Sequence, residues 1–560
     1  MSLSTVCPYG SLKPFMDTVL RMGIRASEKH CRAPRYYVDS IQGVSRTLGK
    51  TIVKRVWRWS YVLALMLLFA TPAGAAAHGR AYFFLSSSQV RALRNVAPAE
   101  ILVLRWKKQV AVLEGKEPKP PDESGTLSLG PDYVSLEKAG GKTVIIDYAL
   151  RRVFSFSAGR PDFSNDSLFA PIDFFDMEAS NRAVQAMLEE RLKMPHLPGH
   201  QRPLYEASLG VRTEGFAPLA VDVSRRGDEV SVRYKGEEMA QFRFGREELS
   251  PEQGEMLARA LWILIPIHPA ALEAVLPLRR LPVAIEAVHE FSIDSKARTS
   301  LQLEWVGTSA KAYPLPTGLS ADLSYQAYSI PPQFAAFLKS VTDIALQAIH
   351  GTYGKPRPTL ADFASAAALA QSKGDLLESG LAWLAAGLQY PEQMSACDTP
   401  GGPAYCAAYH TQFRAAQQDP QFRKIVQAAG DCTRRKWEQG ARTLASVDVS
   451  GQPHGYVASM IMFCLTAGLP PKTLEKIDGM GTRYPLSASD NALNAIRANP
   501  YVPSYYYDIG VKFEMSYYPY CAWRMFDLGY ALGGGTKGDA FDVGLRKREQ
   551  YLLAHHPRFF

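Results

Sequence analysis

Residues 99–244 mostly alternate apolar with polar side chains, and past "GTYGKPRP" (351–358) the apolar spacing lengthens to that of a helix. This change of period constrains the fold more than any other feature. A strand turns successive side chains to opposite faces, whereas a helix brings residues three and four apart onto one stripe. Neither an all-β nor an all-α architecture accommodates both halves. The expected class is α+β: an antiparallel-sheet α+β domain followed by a mainly α-helical C-terminal domain. Val144, Ile146 and Tyr148 alternate with Thr143, Ile145 and Asp147, and Gly-Pro, Gly-Gly and "RRGDE" turns separate the runs, as in strands with one buried face. Between two such sets, Met177, Val184, Met187, Leu188 and Leu192 form an apolar stripe on an expected helix.

A chain of 560 residues needs more than one core. The reading along it is a basic extension (1–55), a signal peptide or signal anchor (56–77), the α+β domain (78–246), a mixed joining region (247–353), the helical domain (354–536) and a tail (537–560). Residues 1–77 hold 11 Lys+Arg and 3 Asp+Glu, which leaves 52 basic and 51 acidic of the chain's 63 and 54. A nearly neutral body supplies no field for phosphates, so nucleic acid is not an expected partner. In "KRVWRWSYVLALMLLFATPAGAAAHG", Lys54, Arg55 and Arg58 precede an apolar run and then small residues, the build of a secretory signal. It starts about fifty residues late for a leader of about 15–30. A misplaced start codon (with Met22 as a candidate start), a real extension and an uncleaved anchor are the alternatives. In either the cleaved or the anchored case the body is expected outside the cytoplasm, periplasmic or held at the inner membrane through its N-terminal segment. An organelle transit peptide is the lesser reading.

Cys397 and Cys406 end the Pro/Gly-rich loop "CDTPGGPAYC", where a disulfide would restrict a flexible closure, and unrelated core thiols are the alternative. Candidates for chemistry are thin. Asp173, Asp176 and Glu178 cluster where a helix would start, a position that attracts carboxylates for dipole reasons. His196 and His200 flank Pro198 and Gly199, which denies them the helical spacing of a metal pair. "KAGGKT" lacks the first glycine of a phosphate loop, and neither a CxxC pair nor a G-x-S-x-G elbow occurs. No cofactor, metal or catalytic set is expected.

The segment 505–532 carries seven tyrosines, two phenylalanines and one tryptophan. Counted from Pro503, Tyr506, Gly510 and Phe513 fall on one helix and Ala522, Phe526 and Gly529 on the next; counted from Leu360, Phe363 and Ala367 are followed by Gly374-Asp375, then Ser379, Trp383 and Ala386. This spacing of rings and small residues resembles the tetratricopeptide repeat, with two degenerate units. The resemblance covers a small part of the chain. The second unit has Tyr517-Tyr518-Pro519 at its turn and Gly534 where the family has proline. It implies paired antiparallel helices in which Phe363, Ala367, Trp383, Ala386, Tyr506, Gly510, Phe513, Ala522 and Phe526 pack. It also implies a concave groove lined by Tyr507, Val511 and Glu514. Ala364, Ala368 and Gln371 stand where the family's terminal-carboxylate clamp would need Lys and Asn, so that activity is not carried over.

The expected function is therefore a non-enzymatic scaffold or adaptor, exported or membrane-anchored, that binds a protein or peptide in this groove. The alternatives are an envelope hydrolase using Asp173, Asp176 or His289 between the halves, or a structural component of an envelope assembly.

Overall fold

The computed structural model describes residues 80–560 apart from 96, 195–196, 399–401 and 534–539, together with the side chains of 398 and 540–542. The basic extension, the signal or anchor run and His196 lie outside the described residues. Arg80–Phe560 is one compact unit.

Its strands are β1 (Ala99–Glu114), β2 (Glu123–Leu129), β3 (Tyr133–Lys138), β4 (Lys142–Asp147), β5 (Arg152–Ser157), β6 (Asp162–Ser167), β7 (Asp222–Arg226), β8 (Glu229–Tyr234), β9 (Glu237–Glu248), β10 (Arg280–Ser292), β11 (Ser295–Lys311) and β12 (Ser320–Ala321). Among the described residues they form one twelve-stranded sheet ordered β12-β6-β5-β4-β3-β2-β1-β11-β10-β9-β8-β7. Turns join most neighbours in sequence and the helix-bearing segment 249–279 joins β9 to β10, so two meanders form locally. The long antiparallel pairing of β1 with β11, with Trp106 opposite Leu303, then fuses them. Only the short β12 runs parallel to its neighbour, β6.

Two expectations change here. The region 247–353 is no connector, since β10 and β11 lie in the interior of the sheet and the boundary at 246 falls inside β9. Nor do the strands bury a single face. Ile146 and Leu136 join the main core, while Ile145, Phe154, Ile101 and Tyr133 form a second cluster on the opposite side with Val90 and Leu315. The segments around Val90 and Leu315 cover the face that would otherwise meet water.

Helices used below are α1 (Phe169–Leu192), α2 (Arg202–Leu209), α3 (Pro251–Leu264), α4 (Pro332–Ile349), α5 (Leu360–Ser372), α6 (Leu376–Gln389), α7 (Pro503–Met515), α8 (Pro519–Ala531) and α9 (Ala540–His555). The α5–α6 pair follows local sequence. Thr359 and Asp362 form a reciprocal capping box, Gly374 takes φ +77° at the turn, and the Asp375 carboxylate accepts the Glu378 N–H at 2.9 Å. In the α7–α8 pair Tyr517 adopts φ +65° where a glycine would be easier, and Pro519 opens α8. Gly510 has no Cβ, which would run into the Phe526 ring, so α7 and α8 approach closely.

The two helical pairs do not share a core. Phe363, Ala367, Trp383 and Ala386 belong to a purely helical cluster, whereas Tyr506, Phe513, Ala522 and Phe526 belong to the cluster that includes the sheet. Helix 456–466 bridges them, giving Met460 and Phe463 to one and Val457 and Met462 to the other. Disulfides Cys397–Cys406 and Cys432–Cys464 close chain separations of 9 and 32 residues in this helical part. The first is the pair offered by the loop sequence. The second joins two helices and had no local signal.

Candidate functional site

The aromatic segment does its work at the end of the sheet. Helix α8 buries Trp523, Arg524 and Asp527 almost completely. The indole Nε1 of Trp523 donates to Asp173 Oδ2 at 3.0 Å, with Phe169 stacked on the ring at 4.8 Å. Arg524 donates to Asp166 Oδ1 (3.3 Å) and the Ser324 carbonyl (2.8 Å), its guanidinium 4.8 Å from the centre of the Tyr328 ring. Asp527 accepts from Arg152 Nη1 (2.7 Å) and the Phe83 N–H (3.2 Å). A buried charge survives only when paired and hydrogen-bonded, and each of these is. The rings of 505–532 thus fill the seam between sheet and helices.

The face expected to form a partner groove lies alongside. Tyr507, Val511 and Glu514 are each half-buried, and the residues expected to be a tail form helix α9, which packs against α7. A Cβ at Gly544 of α9 would collide with the Tyr507 hydroxyl, so that contact requires glycine. Arg548 of α9 lies 3.3 Å from Glu514 Oε1, donates from Nε to Asp173 Oδ1 at 2.8 Å, and reaches Asp176 Oδ2 at 3.5 Å. His556 Nε2 sits 3.0 Å from Asp176 Oδ1, and the Tyr551 hydroxyl donates to Glu214 Oε2 at 2.7 Å. The anticipated groove is therefore occupied by the chain's own C-terminal helix. The correction has a simple cause, because the apolar positions that dock α9, Leu545 and Leu552, lie among charged neighbours that find their partners in distant segments.

Electrostatically the cluster is a latch. Burial, reinforced by the charge of Asp173 and opposed by Arg548, pushes Glu514 up to about 7. For Asp176 burial acts upward, but the His556 hydrogen bond and the charges of His556 and Arg548 outweigh it and hold the carboxyl below its ordinary range. Asp173, Asp176 and His556 do converge, as an acid/base site requires, but their polar atoms face one another, Trp523, Arg548 and Tyr551. Glu178 pairs with Arg182 instead. His289 lies inside the sheet, donating from Nδ1 to the Glu290 carbonyl and accepting from Thr299 Oγ1 at 2.8 Å, and burial drives it down to about 3, so it is neutral. His200 is buried against Glu189. Among the described residues no group of His, Cys, Asp and Glu is placed to hold a metal ion, and no helix is long and apolar enough to cross a membrane.

A different surface emerges on α1. Its first turns are mostly buried, and further along it packs through Ala179, Ala183 and Glu189. Of the apolar stripe read from the sequence, Met177 is half-buried and the other four residues point outward: Val184, Met187, Leu188 and Leu192 are 48%, 50%, 43% and 65% exposed. Met194 and Leu197 extend it. Helix α1 packs beside α2 and α8, with the small Ala179 and Ala183 on its buried side and the larger side chains on the water side.

No family model matches this chain, and no curated protein does. Among solved structures it is similar to one titled "lipid-protein interactions in lipovitellin", at 10% identity, with 77% of this chain and 56% of that chain covered and a TM-score of 0.15. That likeness carries no argument about fold or function, and the chain spans little more than half of that structure's length.

Proposed function

We propose that this chain is a non-catalytic interaction protein of an oxidising, extracytoplasmic compartment, and that it binds a protein partner through the outward stripe of α1. The carrying observation is the exposure of Val184, Met187, Leu188 and Leu192 on a helix whose other side is buried. Four apolar side chains at i, i+3, i+4 and i+8 match the narrow apolar face of a partner's amphipathic helix. Exposed Glu190, Arg191 and Lys193 supply a charged rim. Export is supported by the basic, apolar, small-residue order of 54–77 and by two disulfides, which persist in oxidising surroundings. The groove at Tyr507, Val511 and Glu514 is not retained as the binding surface, because α9 fills it. The hydrolase alternative draws no support from Asp173 and Asp176, whose carboxylates are engaged in the latch.

The test is photocrosslinking in the native host, with a benzophenone side chain at Leu188 and, as a control, at exposed Lys339 of α4. Adducts of one discrete mass are expected at Leu188 and not at Lys339. Leu188→Asp combined with Leu192→Asp should leave thermal unfolding unchanged while abolishing capture of that same partner. Absence of adducts at Leu188, or identical adducts at both positions, removes the stripe from consideration.

A further inference from the structure

The sheet ends on β12 at one side and on β7 at the other. Strand β12 is two residues long, too short to template a further strand. Strand β7 consists of Asp222, Val223, Ser224, Arg225 and Arg226, and all five are exposed. Beyond the ladder with β8 they form no hydrogen bond and no ion pair among the described residues. Gly227, at φ +60°, opens the two-residue turn that joins β7 to β8. In such a hairpin the residues flanking the turn, Arg226 and Glu229, exchange both backbone bonds, and the bonding alternates from there, so Ser224 also bonds inward to Ser231. Val223 and Arg225 therefore turn their N–H and C=O groups to the open edge.

Edge groups of this kind are completed by pairing with another strand. The order of charges along β7 selects which strand. Set antiparallel to itself about a two-fold axis at Ser224, β7 places Asp222 opposite Arg226 of the second copy and Val223 opposite Arg225. Val223 and Arg225 are the outward-facing residues, so this pair carries the backbone bonds, and the arginine stem covers a Val223 side chain that is 51% exposed. Moving the axis to Val223 puts Asp222 against Ser224, and moving it to Arg225 puts two arginines face to face. Only the Ser224 register matches opposite charges twice. We propose that two copies of this chain associate edge to edge through β7, in an isologous antiparallel pairing centred on Ser224. Five residues a side make a small interface, so the dimer is reversible. This surface shares no residue with the α1 stripe, and neither depends on the other.

The experiment is sedimentation velocity of the full chain over a concentration series, with circular dichroism verifying that each variant is folded. Arg226→Asp and Asp222→Arg each set like charges opposite one another across the two-fold axis, so each alone is expected to dimerise at least tenfold more weakly than the wild type. Mixed in equal amounts they restore both ion pairs, and the mixture is expected to associate as the wild type does. Lys339→Ala, which removes a charge elsewhere, should leave association unchanged. Ser224→Cys provides an independent reading, since residues opposite one another in a non-hydrogen-bonded pair lie about 4.5 Å apart, within disulfide reach. Oxidation should give this variant a covalent dimer in excess of the wild type and of Lys339→Cys. A wild type that stays monomeric, a dimer that survives both single variants, or a mixture that fails to associate overturns the proposal. Where a charge variant does not fold, absence of the Ser224→Cys dimer overturns it.

Discussion

Glu514 sits where α7 meets α9, its Oε1 3.3 Å from Arg548 Nε. On a helical wheel it shares a face with Tyr507 and Val511, and such a face reads as open to a partner. In the fold it is enclosed beside Asp173 and Arg548, and burial with a neighbouring carboxylate lifts it to about 7. Its folded value lies above the unfolded one of about 4.3, so its contribution to stability is fully present below about pH 4.3 and is lost as pH rises through about 7. Glu514→Gln, which cannot ionise, should flatten the dependence of the melting temperature on pH between 5 and 8.5. Its gain at pH 8.5 should be on the order of 1–3 kcal/mol. Melting curves for wild type and variant that run parallel across that range would exclude this assignment. The packing residues behave differently: Phe363, Ala367, Trp383, Ala386, Tyr506, Gly510, Phe513, Ala522 and Phe526 are all buried. A ring and a small residue at helical spacing are read locally. Whether the neighbouring face meets solvent depends on whichever segment arrives to cover it.

At the scale of elements, α1 and α9 are placed by contacts that their own periodicity does not specify. The period of α1 is plain in its sequence, but periodicity states only that a helix has two unlike sides, and Ala179 and Ala183 let the smaller side be the buried one. Helix α9 mixes apolar and charged residues evenly, and its docking depends on Arg548, Tyr551 and His556 meeting Asp173, Asp176 and Glu214 more than 330 residues away in sequence. The α5–α6 turn is the opposite case, written in Thr359, Asp362, Gly374 and Asp375 within one short stretch. The closeness of α9 to α7 can be tested at Gly544. Gly544→Ala should force Tyr507 aside and weaken the docking of α9 by about 1–3 kcal/mol. Hydrogen exchange in 503–515 should rise in that variant, and a second change, Tyr507→Ala, should restore room for the new methyl group. Unaltered exchange in Gly544→Ala would mean that α9 does not rest on Tyr507.

Across the whole molecule the cross-links and the shared core set how the parts cooperate. Closing a separation of 32 residues, Cys432–Cys464 should contribute about 3–4 kcal/mol by restricting the unfolded chain. Cys432→Ala/Cys464→Ala should therefore melt well below the wild type in oxidising buffer, and dithiothreitol should lower the wild type towards it. A reductant-insensitive melting temperature would argue against this bond. By itself the sequence determined the α+β class, the strand-rich first half, the helical second half, the turn at Gly374 and the Cys397–Cys406 pairing option, because each is set by residues close along the chain. Only the tertiary structure decided that β10 and β11 complete the same sheet as β1, that the ring-rich segment welds sheet to helices, and that α9 closes the expected groove while α1 turns its apolar stripe to water. Those outcomes depend on contacts between elements, most of them more than a hundred positions apart, which periodicity does not encode.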